Sequence, residues 1–275
     1  MLEHRRRDRQ AENARVTPPA ITNAGAAGWR VHAVSPAIRL RLVRDMPALA
    51  PALDAEVAAL WEAAQRRMAG ALFNGRVFSA DAIAPGLIAG HWTEFRRIVA
   101  QMARPALHGA LGVRPLAVGG LILGPDGVVF GRRPAGAVYQ AGQWQLPPAG
   151  SIDPGAERAG GEVSAPHQLL AELAEELGLP ASAVDAPVPL CIVEHPASHV
   201  LDFGFSLGTR LRAAEIRAAH AAGGNGEYRA LEIVPIAGLA GFLAAAEQSL
   251  TGQARFFLAR AGLLPNLEAS LDTES

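Results

Sequence analysis

The chain has 275 residues, of which 50% are hydrophobic and 19% are charged, and its formal net charge is −1. This length and apolar content suit one large core, and the near-zero charge provides no field that would attract nucleic acid or a membrane surface. All 25 basic residues are arginine, which excludes Schiff-base chemistry and a P-loop lysine, and the single Cys191 cannot form a disulfide within the chain. No apolar stretch reaches the roughly 20 residues of a membrane span, and none follows the basic start as a signal peptide would require, so we expect a cytoplasmic protein.

The first hundred residues divide into a polar tail and a structured segment. Residues 1–30 combine a run of arginines with Pro-, Gly- and Ala-rich sequence, which predicts a disordered tail. The pattern that follows predicts strands at 38–43, 75–84 and 86–90 and helices at 53–68 and 93–102, the last with Thr93 as its N-cap. Because this is too much structure for a linker, we expect residues 31–107 to form an α+β extension packed on the rest of the chain.

Residues 108–265 show a longer alternation of strands and helices, followed by a short tail at 266–275. The segment Gly124-Pro125-Asp126-Gly127 separates two apolar runs and predicts a hairpin. The remaining pattern predicts strands at 188–194, 200–207 and 227–234 and helices at 213–222, 239–245 and 252–261. Mixed strands with helices on both sides predict an α/β/α sandwich.

Three carboxylates occur together in segment 171–179. Glu172, Glu175 and Glu176 have the spacing i, i+3, i+4, which places them within about 100° on one face of a helix. The apolar residues of this helix fall on another arc, where they can enter a core: Leu169, Leu170, Leu173 and Leu177. Gly178 predicts the helix end, so the acids occupy the last turns, where the helix dipole favours cations. A solvated acidic face is one interpretation, and a site for Mg²⁺, which prefers carboxylate oxygens, is the other.

A strand and a Pro/Gly-rich loop at 143–150 precede this helix, and the three parts together resemble the Nudix hydrolase box. That box runs Gly, five residues, Glu, seven residues, Arg-Glu-apolar-any-Glu-Glu-any-Gly-apolar. Gly150 matches its first glycine, and its last part is matched by Glu172, Leu173, Glu175, Glu176, Gly178 and Leu179. The resemblance implies a Nudix-type α/β/α sandwich with a mixed sheet over 108–265. It also implies a catalytic Mg²⁺ ion, or Mn²⁺, held by the three glutamates.

Two positions depart from the box. Ala171 stands where the family has its arginine, and the first glutamate would fall at Ala156, with Glu157 one place later. The stretch from Gly150 to Leu179 is also longer than the standard box, so we expect a flexible insertion over 155–167. In the family the two missing residues orient the catalytic helix, so their loss bears on rate and on metal geometry.

Outside the box, the chain resembles the Nudix-type UDP-glucose pyrophosphatases of animals, which also have a lengthened box without the arginine. The likeness lies in short segments at 72–75, 93–96, 111–113, 128–133 and 223–227. It implies hydrolysis of UDP-glucose or UDP-galactose to UMP and sugar 1-phosphate. ADP-ribose, NADH and coenzyme A are alternative diphosphate substrates.

Further candidate residues surround the expected diphosphate. Glu227 follows a Gly-rich loop and is either a metal ligand or the base that activates water, or else a surface carboxylate. Arg132 and Arg133 end a strand, where an arginine can hold phosphate in a bidentate manner, although one of the two can equally be a solvated strand end. Gly150 would approach the substrate in the loop before the helix.

Four more positions have two interpretations each. Phe73 can stack on a nucleobase or pack in the core, and Asn74 beside it can read a base edge by hydrogen bonds. Asp202 can approach the metal or form an exposed polar position on a strand. His195 and His199 are spaced for a metal pair, although loop histidines are the simpler interpretation.

The alternative to an enzyme is a binding protein without catalytic activity. The losses at Ala156 and Ala171 are compatible with a catalytically impaired Nudix fold that binds a nucleotide or a protein. The three retained acids favour the hydrolase, because a binding module has no need of such a repulsive set. We therefore expect a small nucleoside diphosphate compound as partner, and neither nucleic acid nor a membrane.

Overall fold

The computed structural model describes residues 28–137 and 140–264, so most of the predicted tail at 1–30 and all of the tail at 266–275 lie outside the described residues. The described strands are β1 (Arg30–His32), β2 (Arg39–Leu42), β3 (Arg76–Ala84), β4 (Leu87–Glu94), β5 (Leu116–Gly124), β6 (Gly127–Arg132), β7 (Trp144–Gln145), β8 (Ala149–Ser151), β9 (Glu162–Val163), β10 (Val188–Glu194), β11 (Leu201–Gly208) and β12 (Ala230–Val234). The described α-helices are α1 (Pro51–Arg67), α2 (Phe95–Ala103), α3 (His108–Leu111), α4 (Ala165–Leu177), α5 (Ala213–Gly223), α6 (Leu239–Ala245) and α7 (Gly252–Arg260). None of the helices in these ranges is long and apolar enough to cross a membrane.

The larger sheet is mixed. Its strand order is β1-β10-β11-β5-β6-β12, with β7 paired to β6 and β8 paired to β5. Strands β5 and β11 are parallel, and the other pairs are antiparallel. Strand β5 forms the predicted hairpin with β6 through the pairs Leu123–Val128 and Gly124–Gly127.

Helices cover both faces of the larger sheet. Alternate residues of a strand point to opposite sides, so neighbouring residues of β11 contact different helices. Phe203 of β11 packs with Leu173 of α4 and Ile216 of α5 in one core. Its neighbour Gly204 faces the other way and lies against Phe257 of α7, so closely that a Cβ atom would be 2.4 Å from the ring. Helices on both faces confirm the predicted α/β/α sandwich.

The smaller sheet has the order β3-β4-β2-β9, and it shares a core with the larger one. Phe78 of β3 and Ile88 of β4 are fully buried in the same apolar cluster as Leu116 of β5 and Ile152. The backbone N–H of Phe78 also donates to the carbonyl of Ile152, at 2.9 Å. The extension predicted over 31–107 is therefore continuous with the interior of the remaining fold.

Two short strands connect the sheets in a way that the sequence did not predict. Strand β1 lies at the start of the expected extension, yet it pairs with β10 of the larger sheet, Val31 opposite Val193. Strand β9 lies within the box insertion, yet it pairs with β2 of the smaller sheet, Leu40 opposite Val163. Each part of the chain therefore contributes one short strand to the sheet formed mainly by the other part.

The helix predicted to begin at Thr93 begins at Phe95 instead. Strand β4 continues to Glu94, because it remains paired with β3 as far as Arg76. Thr93 is consequently a buried strand residue and not an N-cap. The backbone N–H of Arg96 in the first turn donates to the Asn74 side chain at 2.8 Å.

The box insertion differs from the flexible segment predicted over 155–167. Short 3₁₀ turns occupy residues 154–156 and 159–161, and β9 follows them. The backbone N–H of Ser164 donates to the carbonyl of Ala156 at 2.9 Å, which closes the segment into a hydrogen-bonded loop. The glycine content of the insertion predicts flexibility, but it does not show that β9 can pair with the smaller sheet.

Candidate active site

Helix α4 forms as the sequence predicts. The Ser164 hydroxyl accepts a hydrogen bond from the backbone N–H of His167 at 3.3 Å, and Pro166 lies in the first turn. The helix ends at Gly178, whose φ of 64° is the left-handed conformation that glycine adopts most easily. Three of its four predicted core leucines are fully buried and the fourth is partly buried. The acidic residues are therefore carried on a helix fixed to the core.

Two of the three glutamates lie against strand β8. The Ala149 N–H donates to Glu176 Oε2 at 3.0 Å. Glu172 lies against Gly150, where a Cβ atom would be only 2.0 Å from Glu172 Oε1. Gly150 is thus needed because any side chain would displace the carboxylate, and its direct contact with substrate stays a prediction.

The protein environment opposes ionisation of both carboxyl groups. Burial raises the pKa of Glu172 to about 7, and the neighbouring charges of Glu175, Asp153 and Glu227 act in the same direction, against a hydrogen bond from Gln168. Burial likewise raises the pKa of Glu176 well above its ordinary value, against the hydrogen bond from Ala149. Such a cluster of carboxylates carries negative charge that a cation or protons must balance.

Glu227 lies near the two buried glutamates, because its charge raises the pKa of both Glu172 and Glu176. Its carboxylate forms a salt bridge with Arg133, and the Arg133 guanidinium also donates to Gln145 Oε1 at 3.0 Å. Tyr228 follows it and is buried on Gly131, where a Cβ atom would be 2.4 Å from the ring. Burial, and then the neighbouring Glu176, raise the pKa of the Tyr228 phenol well above its ordinary value.

Arg132 and Arg133 have different environments, although they are adjacent. Arg133 is held between Glu227 and Gln145, at the edge of the acidic cluster. Arg132 lies over the ring of Trp144, with its guanidinium carbon 5.2 Å from the ring centroid. Of the two, Arg133 is the one in contact with a predicted acidic site residue.

Phe73 and Asn74 lie before β3, and Asn74 bonds to the start of α2. The core position that sequence allowed for Phe73 is wrong, because the residue is 84% exposed. Asn74 accepts a hydrogen bond from the first turn of α2, as described above, and its amide also donates to Glu94 Oε1 at 3.4 Å. Asn74 therefore has a structural role at the start of α2, and base recognition by either residue stays a prediction.

His195 and His199 contact distant as well as nearby residues: the His195 ring meets Trp29 edge-on, and the His199 ring stacks on His108 with centroids 3.5 Å apart. His195 Nδ1 accepts hydrogen bonds from the backbone N–H groups of Ala197 and Ser198, and His199 Nδ1 lies 3.0 Å from Glu194 Oε1. The exposed strand position expected for Asp202 is wrong, because this residue is buried on the α7 side of the larger sheet. One Asp202 oxygen has no hydrogen-bond partner.

The chemistry of the acidic cluster suits a hard divalent cation. Its donors are carboxylate oxygens, which Mg²⁺ and Mn²⁺ prefer. Among the described residues no three His, Cys, Asp or Glu side chains are already arranged as a metal cage. The raised pKa values of Glu172 and Glu176 nevertheless identify them as the carboxylates whose charge most needs a counterion. Exposed Glu175 and half-buried Glu227 can complete the donor set.

Sequence reasoning missed several residues of the site. Gln168 and Asp153 both act on Glu172, the first by a hydrogen bond and the second by charge. The spacing of Gln168, four residues before Glu172, was a usable signal on a helix. Tyr228 and Gln145 carry no comparable signal, because their proximity depends on strand pairing between distant segments.

No protein-family model matches the chain, and no curated protein matches its sequence. Among solved structures, it is similar to DR0079 from Deinococcus radiodurans, with a TM-score of 0.39 and 14% identity over 52% of this chain and 81% of that one. It is also similar to a bifunctional NMN adenylyltransferase/ADP ribose pyrophosphatase from Francisella tularensis, with a TM-score of 0.38 and 10% identity over 61% of this chain and 48% of that one. A structure of the latter enzyme complexed with AMP and a Mn ion gives a TM-score of 0.37 and 11% identity, over 56% and 43% of the two chains. These similarities concern part of the chain path and assign neither a family nor an activity.

Proposed function

We propose that the protein is a Nudix-type pyrophosphohydrolase that uses Mg²⁺ or Mn²⁺ to cleave a nucleoside diphosphate compound. The observation that carries the proposal is the pair Glu172 and Glu176, partly or fully buried against β8 beside further acidic charge. Surface glutamates on a solvated helix face would have no reason to be buried together. A divalent ion held there would neutralise phosphate charge and lower the pKa of water.

The residues around the pair have distinct roles in this proposal. Glu172, Glu175 and Glu176 hold the cation, and Glu227 takes the proton from the attacking water. Arg133 is held by Glu227 and Gln145 at the edge of the cluster. Its planar guanidinium can exchange the carboxylate for a phosphate oxygen of the substrate. Binding of substrate would then release Glu227 to act as a base.

The substrate proposed is UDP-glucose or UDP-galactose, cleaved to UMP and sugar 1-phosphate in the cytoplasm. It rests on the short segments that resemble the animal UDP-glucose pyrophosphatases. Phe73 supports it in part, since its exposed ring is available for stacking on a base. The side-chain amide of Asn74 already has hydrogen-bond partners at the start of α2. We therefore assign contact with the base to stacking on Phe73 in preference to hydrogen bonds from Asn74.

A catalytically impaired binding module is the second candidate, and one observation favours it. Ala156, where the box glutamate would fall, is fully buried, so the site has no carboxylate at that position. Glu157 beside it accepts a hydrogen bond from Trp92 Nε1 at 3.0 Å instead. A module of this kind would bind divalent metal or nucleotide without turnover.

The experiment is turnover of a panel of nucleoside diphosphate compounds with Mg²⁺ or Mn²⁺, with products identified by mass spectrometry. UMP and hexose 1-phosphate are expected from UDP-glucose, with at least a 100-fold loss in Glu172→Gln and Glu176→Gln, in line with about 10²–10³ for one stabilising group. The matched control is Glu232→Gln, an exposed glutamate on β12. Turnover of another compound would discard the UDP-sugar assignment, and a folded protein without any turnover would favour the binding module.

A further inference from the structure

The acidic helix lacks the two residues that would orient it in the Nudix box, and another residue contacts the carboxylate instead. Gln168 lies one turn before Glu172 on α4 and is only 6% exposed. Its Nε2 donates a hydrogen bond to Glu172 Oε1 at 2.9 Å. A buried amide held against a carboxylate of the proposed metal site restricts where that carboxylate can lie.

The orientation of this amide is set from its other side. Gln168 Oε1 accepts a hydrogen bond from the backbone N–H of Asp153 at 3.3 Å. A backbone N–H can only donate, so the oxygen of the amide must face Asp153 and the NH₂ group must face Glu172. Gln168 therefore presents a donor to Glu172 in a defined direction.

Asp153 belongs to the inserted loop (residues 152–164), in which other residues are bonded to the smaller sheet. Its neighbour Ile152 accepts the hydrogen bond from Phe78 of β3. Further along the same loop, Glu157 accepts from Trp92 of β4, and β9 pairs with β2. A continuous set of contacts thus runs from the smaller sheet through the inserted loop to Gln168 and Glu172.

We propose that Gln168 is the positioning residue for Glu172, and that the inserted loop, fixed to the smaller sheet, orients the acidic helix in place of the missing box arginine and glutamate. The inference rests on the proposed function in one respect, namely that Glu172 is a metal ligand. Partners that orient metal ligands affect metal affinity strongly, typically by about 10- to 100-fold. A residue that only stabilised the helix would not change affinity in this way.

The test measures Mn²⁺ binding without substrate, by the electron paramagnetic resonance signal of free Mn²⁺, in the full chain. Gln168→Met keeps the length of the side chain and removes both hydrogen bonds, so its Kd should rise about 10-fold or more. Gln168→Glu keeps the acceptor for Asp153 but replaces the donor by a like charge, and it should also bind more weakly. The matched control is His167→Gln, at the exposed neighbouring position, which should bind as the wild type does.

A second variant, Trp92→Phe, tests the far end of the same set of contacts. It removes the indole N–H that bonds Glu157, and we expect a rise in Kd that is smaller than in Gln168→Met. Thermal melting identifies any variant that fails to fold, and the other variants then decide. Turnover at saturating Mn²⁺ adds a second readout, because misplacement of Glu172 should lower kcat with little change in KM.

The outcomes separate this inference from the proposed function. Wild-type Kd in folded Gln168→Met and Gln168→Glu would overturn the positioning role and leave the hydrolase untouched. Weaker Mn²⁺ binding in both variants, in a protein that hydrolyses no diphosphate, would support the positioning role and count against the hydrolase. A wild-type protein that binds no Mn²⁺ at millimolar concentration would overturn both.

Discussion

At the scale of single residues, burial and not spacing distinguishes the three glutamates of α4. Glu175 is exposed, whereas Glu176 is almost fully buried and Glu172 is partly buried. The same helical face therefore contains one carboxylate in water and two whose pKa values rise because solvent is excluded. Strand β8 creates the difference, since it approaches the helix at Ala149 and Gly150. Metal binding should involve Glu172 and Glu176 first.

Asp202 is a second buried carboxyl group, on the opposite face of the sheet, and it determines a pH dependence of stability. Burial raises its pKa from 3.8 to about 7. Cys191, whose own pKa burial raises to about 12, is a neighbouring titratable group on β10 and is neutral in this range. A cavity of about 10 Å³ beside Asp202, lined in part by Gln145 and Gln253, has room for about one water and not for a nucleotide.

The sign of this dependence follows from proton binding. Between pH 4 and pH 7 the folded state holds a proton on Asp202 that the unfolded state has lost. The free energy of unfolding should therefore fall as pH rises through this window, by up to about 1.4 kcal/mol per unit, and level off above it. Asp202→Asn should remove that contribution. The free energy of unfolding of the variant, relative to that of the wild type, should therefore rise between pH 5 and pH 8.

Urea denaturation of both proteins at pH 5 and pH 8 measures this difference. Glu172 and Glu176 also have raised pKa values, but they are present in both proteins and cancel in the comparison. Parallel pH profiles for the two proteins would show that Asp202 does not titrate in this range.

At the scale of elements, the end of α4 couples it to α5. Gly178 ends the helix in the left-handed conformation, and a Cβ atom there would be 2.6 Å from the carbonyl oxygen of Ala219 in α5. The backbone N–H of Asn225, after α5, also donates to the carbonyl of Glu175. The helix end therefore positions both the acidic residues and the chain that leads to Glu227.

Gly178→Ala should destabilise the fold by more than the ordinary cost of a left-handed alanine. That cost is about 1–2 kcal/mol, and the close approach to Ala219 adds to it. Gly160→Ala is the matched control, because Gly160 has a φ of 75° with nothing within 4 Å of its Cβ position. Chemical denaturation of both variants gives the comparison. Equal losses would mean that α5 moves away freely and that the contact is unimportant.

At the scale of the whole molecule, the extension and the remaining chain share one interior. Phe78 and Ile88 of the smaller sheet pack in the cluster that contains Leu116 and Ile152. Strand exchange through β1 and β9 adds hydrogen bonds across the same boundary. Residues 31–107 and 108–265 therefore bury apolar side chains in a common cluster, and their division into an extension and a hydrolase domain stays a prediction.

A chain that begins at residue 108 should fail to reach the native fold. The truncation would remove β3 and β4 and expose the apolar cluster around Leu116 and Ile152. The free energy lost with so much buried apolar area exceeds the net stability of an ordinary domain. Circular dichroism in the near ultraviolet and thermal melting check this. A cooperative melt together with retained Mn²⁺ binding would show that the extension is dispensable.

By itself the sequence determined the elements whose signals are local. The apolar period of α4, its Ser164 and Gly178 boundaries and the hairpin at Gly124–Gly127 follow from neighbours within a few residues, and the structure confirms them. The α/β/α arrangement also followed, because alternating strands and helices can bury their apolar faces in few ways. The acidic spacing at Glu172, Glu175 and Glu176 similarly depends only on helix geometry.

Only the tertiary structure decided which of these residues meet. The proximity of Glu227 to the acidic helix was a prediction, whereas its contact with Arg133 and the burial of Tyr228 depend on the pairing of β6 with β12. The start of α2 moved from Thr93 to Phe95 because a long-range strand pair outweighs a local capping signal. The structure of the inserted loop depends on pairing with strand β2, which lies more than a hundred residues earlier in the chain, as between Leu40 and Val163. Interactions between distant segments leave no periodic trace in one sequence, because each partner satisfies its local rules without the other.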